Sequence, residues 1–278
     1  MKNPIRIHSA IFFFSVFLLL PCGIHGKTNS VSLDTLTWVE AEQAFKNYEV
    51  VLLALGASTK EHGPHLPLKT DYVMAEYFKE RVAEEVPVVV LPTLQYGHYP
   101  AFLEYPGSIS LEAETFEHVV IDICRSMNGY GLRKFYVLNT GISTLRPLQA
   151  AAEELSKQGV VLRYLNLLEV DKNLPPGLLR EEGGTHADEE ETSMMLYIAP
   201  ETVNMSKAVK DFDPRPGRKG LTRNPEGQGS YSPTGIWGDP TLATREKGKI
   251  IVDIIAKEIV TEVRDLIDLK LDEEQRSE

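Results

Sequence analysis

Val50-Val51-Leu52-Leu53-Ala54-Leu55-Gly56 runs into Glu61-His62-Gly63-Pro64-His65-Leu66-Pro67 and closes on Asp71. The first part is a short, wholly apolar run ended by glycine, the pattern of a strand buried on both faces of a parallel sheet. The second part cannot be regular helix. Gly63, Pro64 and Pro67 hold it as a rigid turn, with two imidazoles and two carboxylates within eleven residues. Such side chains are suitable ligands for Zn, Mn or Fe. A polar loop whose histidines merely cap backbone groups is the plainer alternative. Open α/β sheets place ligands beyond the carboxyl ends of their strands, where this turn falls.

Working outward, helical and strand patterns alternate. A helix is expected over 72–85, a strand over 87–94, a helix over 111–128 and a strand over 134–138. Further on come a helix over 145–157, a strand over 160–168, a helix over 189–199 and a long amphipathic helix over 244–271. The alternation predicts an α/β domain with a largely parallel sheet. The stretch 211–240 is rich in Gly, Pro, Arg and Asn, and reads as a loop near the site or a subunit contact. There is no internal repeat, Walker loop or dinucleotide-binding glycine fingerprint.

The formal net charge is −11. With no long basic run in the body of the chain, nucleic acid and anionic membrane are excluded as expected partners. The start differs: Lys2 and Arg6 precede an apolar run over 11–20 and then Pro21-Cys22-Gly23. This is the pattern of a secretory signal, too short for a comfortable bilayer span. Residues 1–26 are expected to be a signal peptide and 27–278 the mature domain, exported to the periplasm or beyond. No transmembrane span is expected in the mature chain. Cleavage after Gly26 and lipidation of Cys22 are alternatives. Without Cys22 only Cys124 remains, so no internal disulfide is expected, and Cys124 sits in an apolar-periodic stretch that predicts a packed thiol.

A second polar cluster is Gly184-Thr185-His186-Ala187-Asp188-Glu189-Glu190-Glu191-Thr192-Ser193. Thr185 or Asp188 can cap a helix whose acidic first turn suits the helix dipole. That explains the acids but not His186, which stands within reach of Glu189 or Glu191. Of the five histidines beyond the leader, His118 lies in a predicted helix. His62, His65, His98 and His186 lie in loops after strands or before helices, where binding groups concentrate.

Gly56 to Asp71 resembles the signature segment of the creatininase (creatinine amidohydrolase) family. Tyr105-Pro106-Gly107-Ser108, His186 to Ser193, and Gly238-Asp239-Pro240 with Glu246-Lys247-Gly248 resemble its later elements, in the same order. The resemblance implies a three-layer α/β/α sandwich, commonly oligomeric, and so a homo-oligomer. It also implies metal-dependent hydrolysis of C–N bonds in small or cyclic amides. It assigns His62, Asp71 and Glu189 to a divalent metal. His186, Glu191 and Lys60 are expected to take catalytic roles, and His65, His98 and Ser143 to touch substrate.

Two positions depart from the family pattern. Lys60 stands where the first glutamate belongs, and Gly141, in Asn139-Thr140-Gly141-Ile142-Ser143-Thr144, where a histidine belongs. In the family picture the missing glutamate and histidine serve mainly one of two metals, so one ion per chain is the expectation, with Lys60 supplying part of the missing charge. Glu61 as a shifted ligand, two ions, or none remain open. The rival reading is a degenerate, non-catalytic binding protein on the same scaffold. A zinc protease is disfavoured, since no His-Glu-x-x-His helix occurs.

Overall fold

The computed structural model describes residues 30–213 and 220–271. The expected leader, with Cys22, lies outside them. In chain order the main elements are β1 (Val31–Ser32), α1 (Trp38–Ala44), β2 (Val50–Leu55), α2 (Thr70–Glu85), β3 (Val89–Val90), α3 (Ala113–Asn128) and β4 (Lys134–Asn139). Then follow α4 (Leu145–Ser156), β5 (Val161–Tyr164), α5 (Leu167–Val170), α6 (Glu189–Ile198), β6 (Leu221–Thr222), β7 (Ser230–Tyr231) and α7 (Arg245–Asp268).

Five strands form one parallel sheet in the order β1-β3-β2-β4-β5. β2 is buried along its whole length, as its unbroken apolar run requires. Its alternate residues serve two cores. Val50, Leu52 and Ala54 pack with α2, α6 and α7, while Val51, Leu53 and Leu55 pack with α3 and α4. The fold is therefore a three-layer α/β/α sandwich. Cys124 is buried in the second core, and burial pushes its thiol up to about 12.

Two expected strands are shorter than their apolar runs. Of 87–94 only Val89–Val90 forms strand, with a lone bridge from Leu94 to Leu55. Of 160–168 only Val161–Tyr164 does, and Leu167 already begins α5. An apolar run reports burial, and burial extends past the last ladder hydrogen bond.

β2 leads through α2 to β3 on one side, whereas β4 and β5 lie on the other, so strand order reverses between β2 and β4. That is the crevice where open α/β sheets receive ligands. The register pairs Leu55 with Asn139, so the loops after these residues open side by side. Gly56 lets α2 close over the strand end: a Cβ there would lie 2.4 Å from the Asp71 carbonyl oxygen. Among the described residues no helix is long and apolar enough to cross a membrane.

Candidate active site

Lys60, Glu61 and His62 point their side chains in two directions. Lys60 and His62 converge on Asp71, at the start of α2. Lys60 Nζ lies 2.7 Å from Asp71 Oδ2, and His62 Nε2 lies 2.9 Å from Oδ1. The lysine contact is an ion pair by distance; Oδ2 receives no hydrogen bond of good angle. His62 Nδ1 is 2.9 Å from the Lys60 carbonyl oxygen. Burial would push the Lys60 ammonium down, but the carboxylates of Asp71, Glu191 and Glu61 outweigh it and hold it charged. Burial would likewise raise the Asp71 carboxyl, yet Lys60 and His62 hold it well below the usual range.

Glu61 turns the other way, to His186. Its Oε1 is 2.8 Å from His186 Nε2, and Oε2 accepts from the Gly63 N–H at 2.8 Å. His186 is pinned against Trp237 by backbone hydrogen bonds in both directions, and its ring lies 4.3 Å from Phe102 and 4.9 Å from His62. Its Nδ1 faces Glu191 Oε2 at 3.6 Å, beyond a hydrogen bond. Ala187 takes the left-handed φ of 49° and donates its N–H to the same Glu191 oxygen at 2.5 Å. It is the one positive-φ residue other than glycine among those described, and such strain collects at functional sites.

His62, His186 and Glu191 each offer a ligand atom, all within 4.8 Å of one another. Two imidazoles and a carboxylate suit a single zinc or manganese ion. Beside Asp71, where the resemblance implies a further ion, the Lys60 ammonium already supplies a positive charge. His62, His186 and Glu191 thus make a donor set of the kind a divalent ion takes.

The structure does not bring Glu189 to His62 and Asp71. At the first position of α6 its Oε2 accepts the N–H groups of Arg180 and Glu181, at 2.7 and 2.8 Å, and Oε1 pairs with Lys247. The helix phase turns it from the cluster, and the acid at the cluster is Glu191. His65 is also spent elsewhere: Nε2 meets Thr192 Oγ1 at 2.8 Å, and burial pushes its pKa down to about 4. His98 Nδ1 lies 3.0 Å from the Leu111 carbonyl oxygen, and the ring lines a neighbouring cavity with Arg146. Ser143 lines both cavities.

The cavity at this cluster, about 500 Å³, is lined by Lys60, His186, Glu191 and Ser143 together with Phe102, Asp171, Asp188, Glu190, Phe212 and Trp237. Burial and neighbouring acids raise the carboxyls of Asp188 and Glu190 well above their ordinary values. Burial raises that of Asp171 to about 6. Phe212 and Trp237 come from the stretch read as a loop near the site. Phe102 and Asp171 carried no sequence signal, because only folding brings them here.

A parallel three-layer sandwich with a cluster of potential metal ligands and a cavity at its strand switch places the chain in the α/β class. The chain belongs to the creatininase family: the family model Creatininase: Creatinine amidohydrolase matches residues 34–263. It is 26% identical to the creatinine amidohydrolase of Pseudomonas putida, over 86% of this chain and 98% of that protein. It is 30% identical to the mycofactocin precursor peptide peptidase of Mycolicibacterium smegmatis, over 73% of this chain and 79% of that one. The 3-dehydro-scyllo-inosose hydrolase of Thermotoga maritima is 26% identical, over 87% and 85%. A creatininase crystal structure superposes with a TM-score of 0.72 at 25% identity, over 87% of this chain and 99% of that one. Relatives of this fold have been solved in zinc–zinc and manganese forms.

Proposed function

We propose that the chain hydrolyses a C–N bond in a small amide or cyclic amide, with one divalent ion per chain. The observation that carries this reading is the buried ion pair of Lys60 with Asp71 beside His62, His186 and Glu191. The chain itself supplies one positive charge, and three neutral or anionic donors remain for one ion. His62, His186 and Glu191 would hold that ion; both ring nitrogens of His62 face oxygens, Asp71 Oδ1 and the Lys60 carbonyl, each at 2.9 Å, so His62 would give up one of these contacts to ligate. When bound, the ion supplies polarisation of the amide carbonyl and a bound water of lowered pKa.

The chain's own groups account for the rest. Lys60 reaches the cavity and can hold the substrate's carbonyl oxygen through an ammonium N–H. Asp188 and Glu190, whose carboxyls are raised by burial and neighbouring acids, can give a proton to the leaving nitrogen. Phe102 and Trp237 keep water from the reacting bond. The cavity volume suits a small molecule rather than a folded partner. The leader supports export, and the resemblance supports assembly into a homo-oligomer.

Metal analysis of the purified protein and of His62→Ala tests the reading. About one equivalent of zinc, manganese or iron per chain is expected, lost in the variant. Two tightly held ions per chain would overturn the one-ion assignment. No ion and no amidase activity would leave a binding protein on this scaffold.

A further inference from the structure

Glu61 stands between two residues that serve Asp71, yet its own side chain serves His186. The Nε2 of His186 meets two acceptors from this one residue: the carboxylate Oε1 at 2.8 Å and the backbone oxygen at 3.0 Å. An imidazole nitrogen facing two acceptors must carry a hydrogen. In a neutral ring the other nitrogen, Nδ1, is then bare, and it faces Glu191 Oε2 at 3.6 Å. Two lone pairs directed at each other need a proton or a cation between them.

We propose that Glu61 is a positioning residue that fixes His186 as its Nε2–H tautomer and so makes Nδ1 the working nitrogen of the site; this rests on the one-ion reading above. The carboxylate is braced for the task. Oε2 is held by the Gly63 N–H. Gly235, at φ +84°, leaves the space the carboxylate fills, since a Cβ there would fall 2.1 Å from Oε2. A plain brace for the 61–65 turn would explain the bond to Gly63 but not two acceptors on one imidazole nitrogen. A ligating histidine whose other N–H is held by a carboxylate is a common support for metal binding, and its loss typically weakens the metal about 10–100-fold.

The test is nuclear magnetic resonance of protein with isotope-labelled imidazoles. In metal-free protein, at a pH above the ordinary imidazole range, His186 should be protonated at Nε2 and bare at Nδ1. Cadmium-loaded protein should show coupling of the metal to Nδ1. Glu61→Leu should lose the single tautomer and bind cadmium at least about tenfold more weakly. A bare Nε2, or cadmium coupled to Nε2, overturns the assignment in the native protein, whatever the variant's folding. Unchanged tautomer and affinity in Glu61→Leu also overturn it. Protein that takes up no cadmium, yet keeps Nε2 protonated only when Glu61 is present, overturns the one-ion reading and supports the role of Glu61.

Discussion

Lys60 Nζ lies 2.7 Å from Asp71 Oδ2, with the two side chains 5% and 0% exposed. Taking both charges from water is costly, and removing one leaves the other uncompensated, at about 3–5 kcal/mol. Lys60→Met should therefore lower the stability of metal-free protein by about that amount, and a divalent ion should restore part of it. Thermal unfolding with and without zinc reads both. A variant as stable as the native protein, with no added response to zinc, would count against charge replacement by Lys60.

Lys60→Glu with Gly141→His should bind a second ion. A Cβ on Gly141 would lie 3.3 Å from Tyr99 Cε1, so the new imidazole must displace that ring. The second ion is therefore expected to bind more weakly than the first, by calorimetric titration. A stoichiometry that stays at one would contradict the idea that these two positions account for the missing ion.

Glu189 and His186 should separate cleanly. Glu189→Gln should keep the metal and lose stability, about 1–3 kcal/mol, because the buried Glu189 carboxylate is held by Arg180, Glu181 and Lys247. His186→Ala should lose metal and turnover together. Retained metal with lost turnover in His186→Ala would make this residue a proton carrier instead.

Asp171 gives a pH signature. Burial raises its carboxyl from 3.8 to about 6, so the folded state holds the proton more tightly than the unfolded chain. Its contribution to stability is complete below the unfolded value and is lost as pH rises through the folded one. Asp171→Asn stays neutral throughout. The native protein's melting temperature should thus fall relative to the variant's as pH rises from about 4 to about 7. Parallel profiles would show that Asp171 ionises normally.

Gly248→Ala should destabilise without touching the site. A Cβ at this first-turn position of α7 would lie 1.8 Å from the Ser193 carbonyl oxygen in α6, so the two helices must separate. A loss of about 1–3 kcal/mol is expected in urea unfolding, with metal content unchanged. A variant of native stability would mean that α6 and α7 pack less closely than the structure has them.

The α/β domain with its parallel sheet was legible in the sequence because it follows from local pattern, whereas the three-layer sandwich came from the family resemblance. An unbroken apolar run such as Val50 to Leu55 has no solvent face, so it requires layers on both sides, and the polar turn after it must lie at the sheet's carboxyl edge. His62, Asp71, His186 and Glu191 were legible as chemistry-bearing residues of rigid or capped segments. Their partners were not. Which of Glu189 and Glu191 faces His62 depends on the phase of α6, fixed by Lys247 from a distant helix and by the backbone of Arg180 and Glu181. Whether Glu61 serves the ion or His186 depends on the direction of one side chain in a turn, fixed by the bare Cα of Gly235. Local sequence sets what each segment can form, since a residue's neighbours limit its backbone. Pairing of buried charges is decided only when separate segments meet in a medium too poor in water to leave any of them alone.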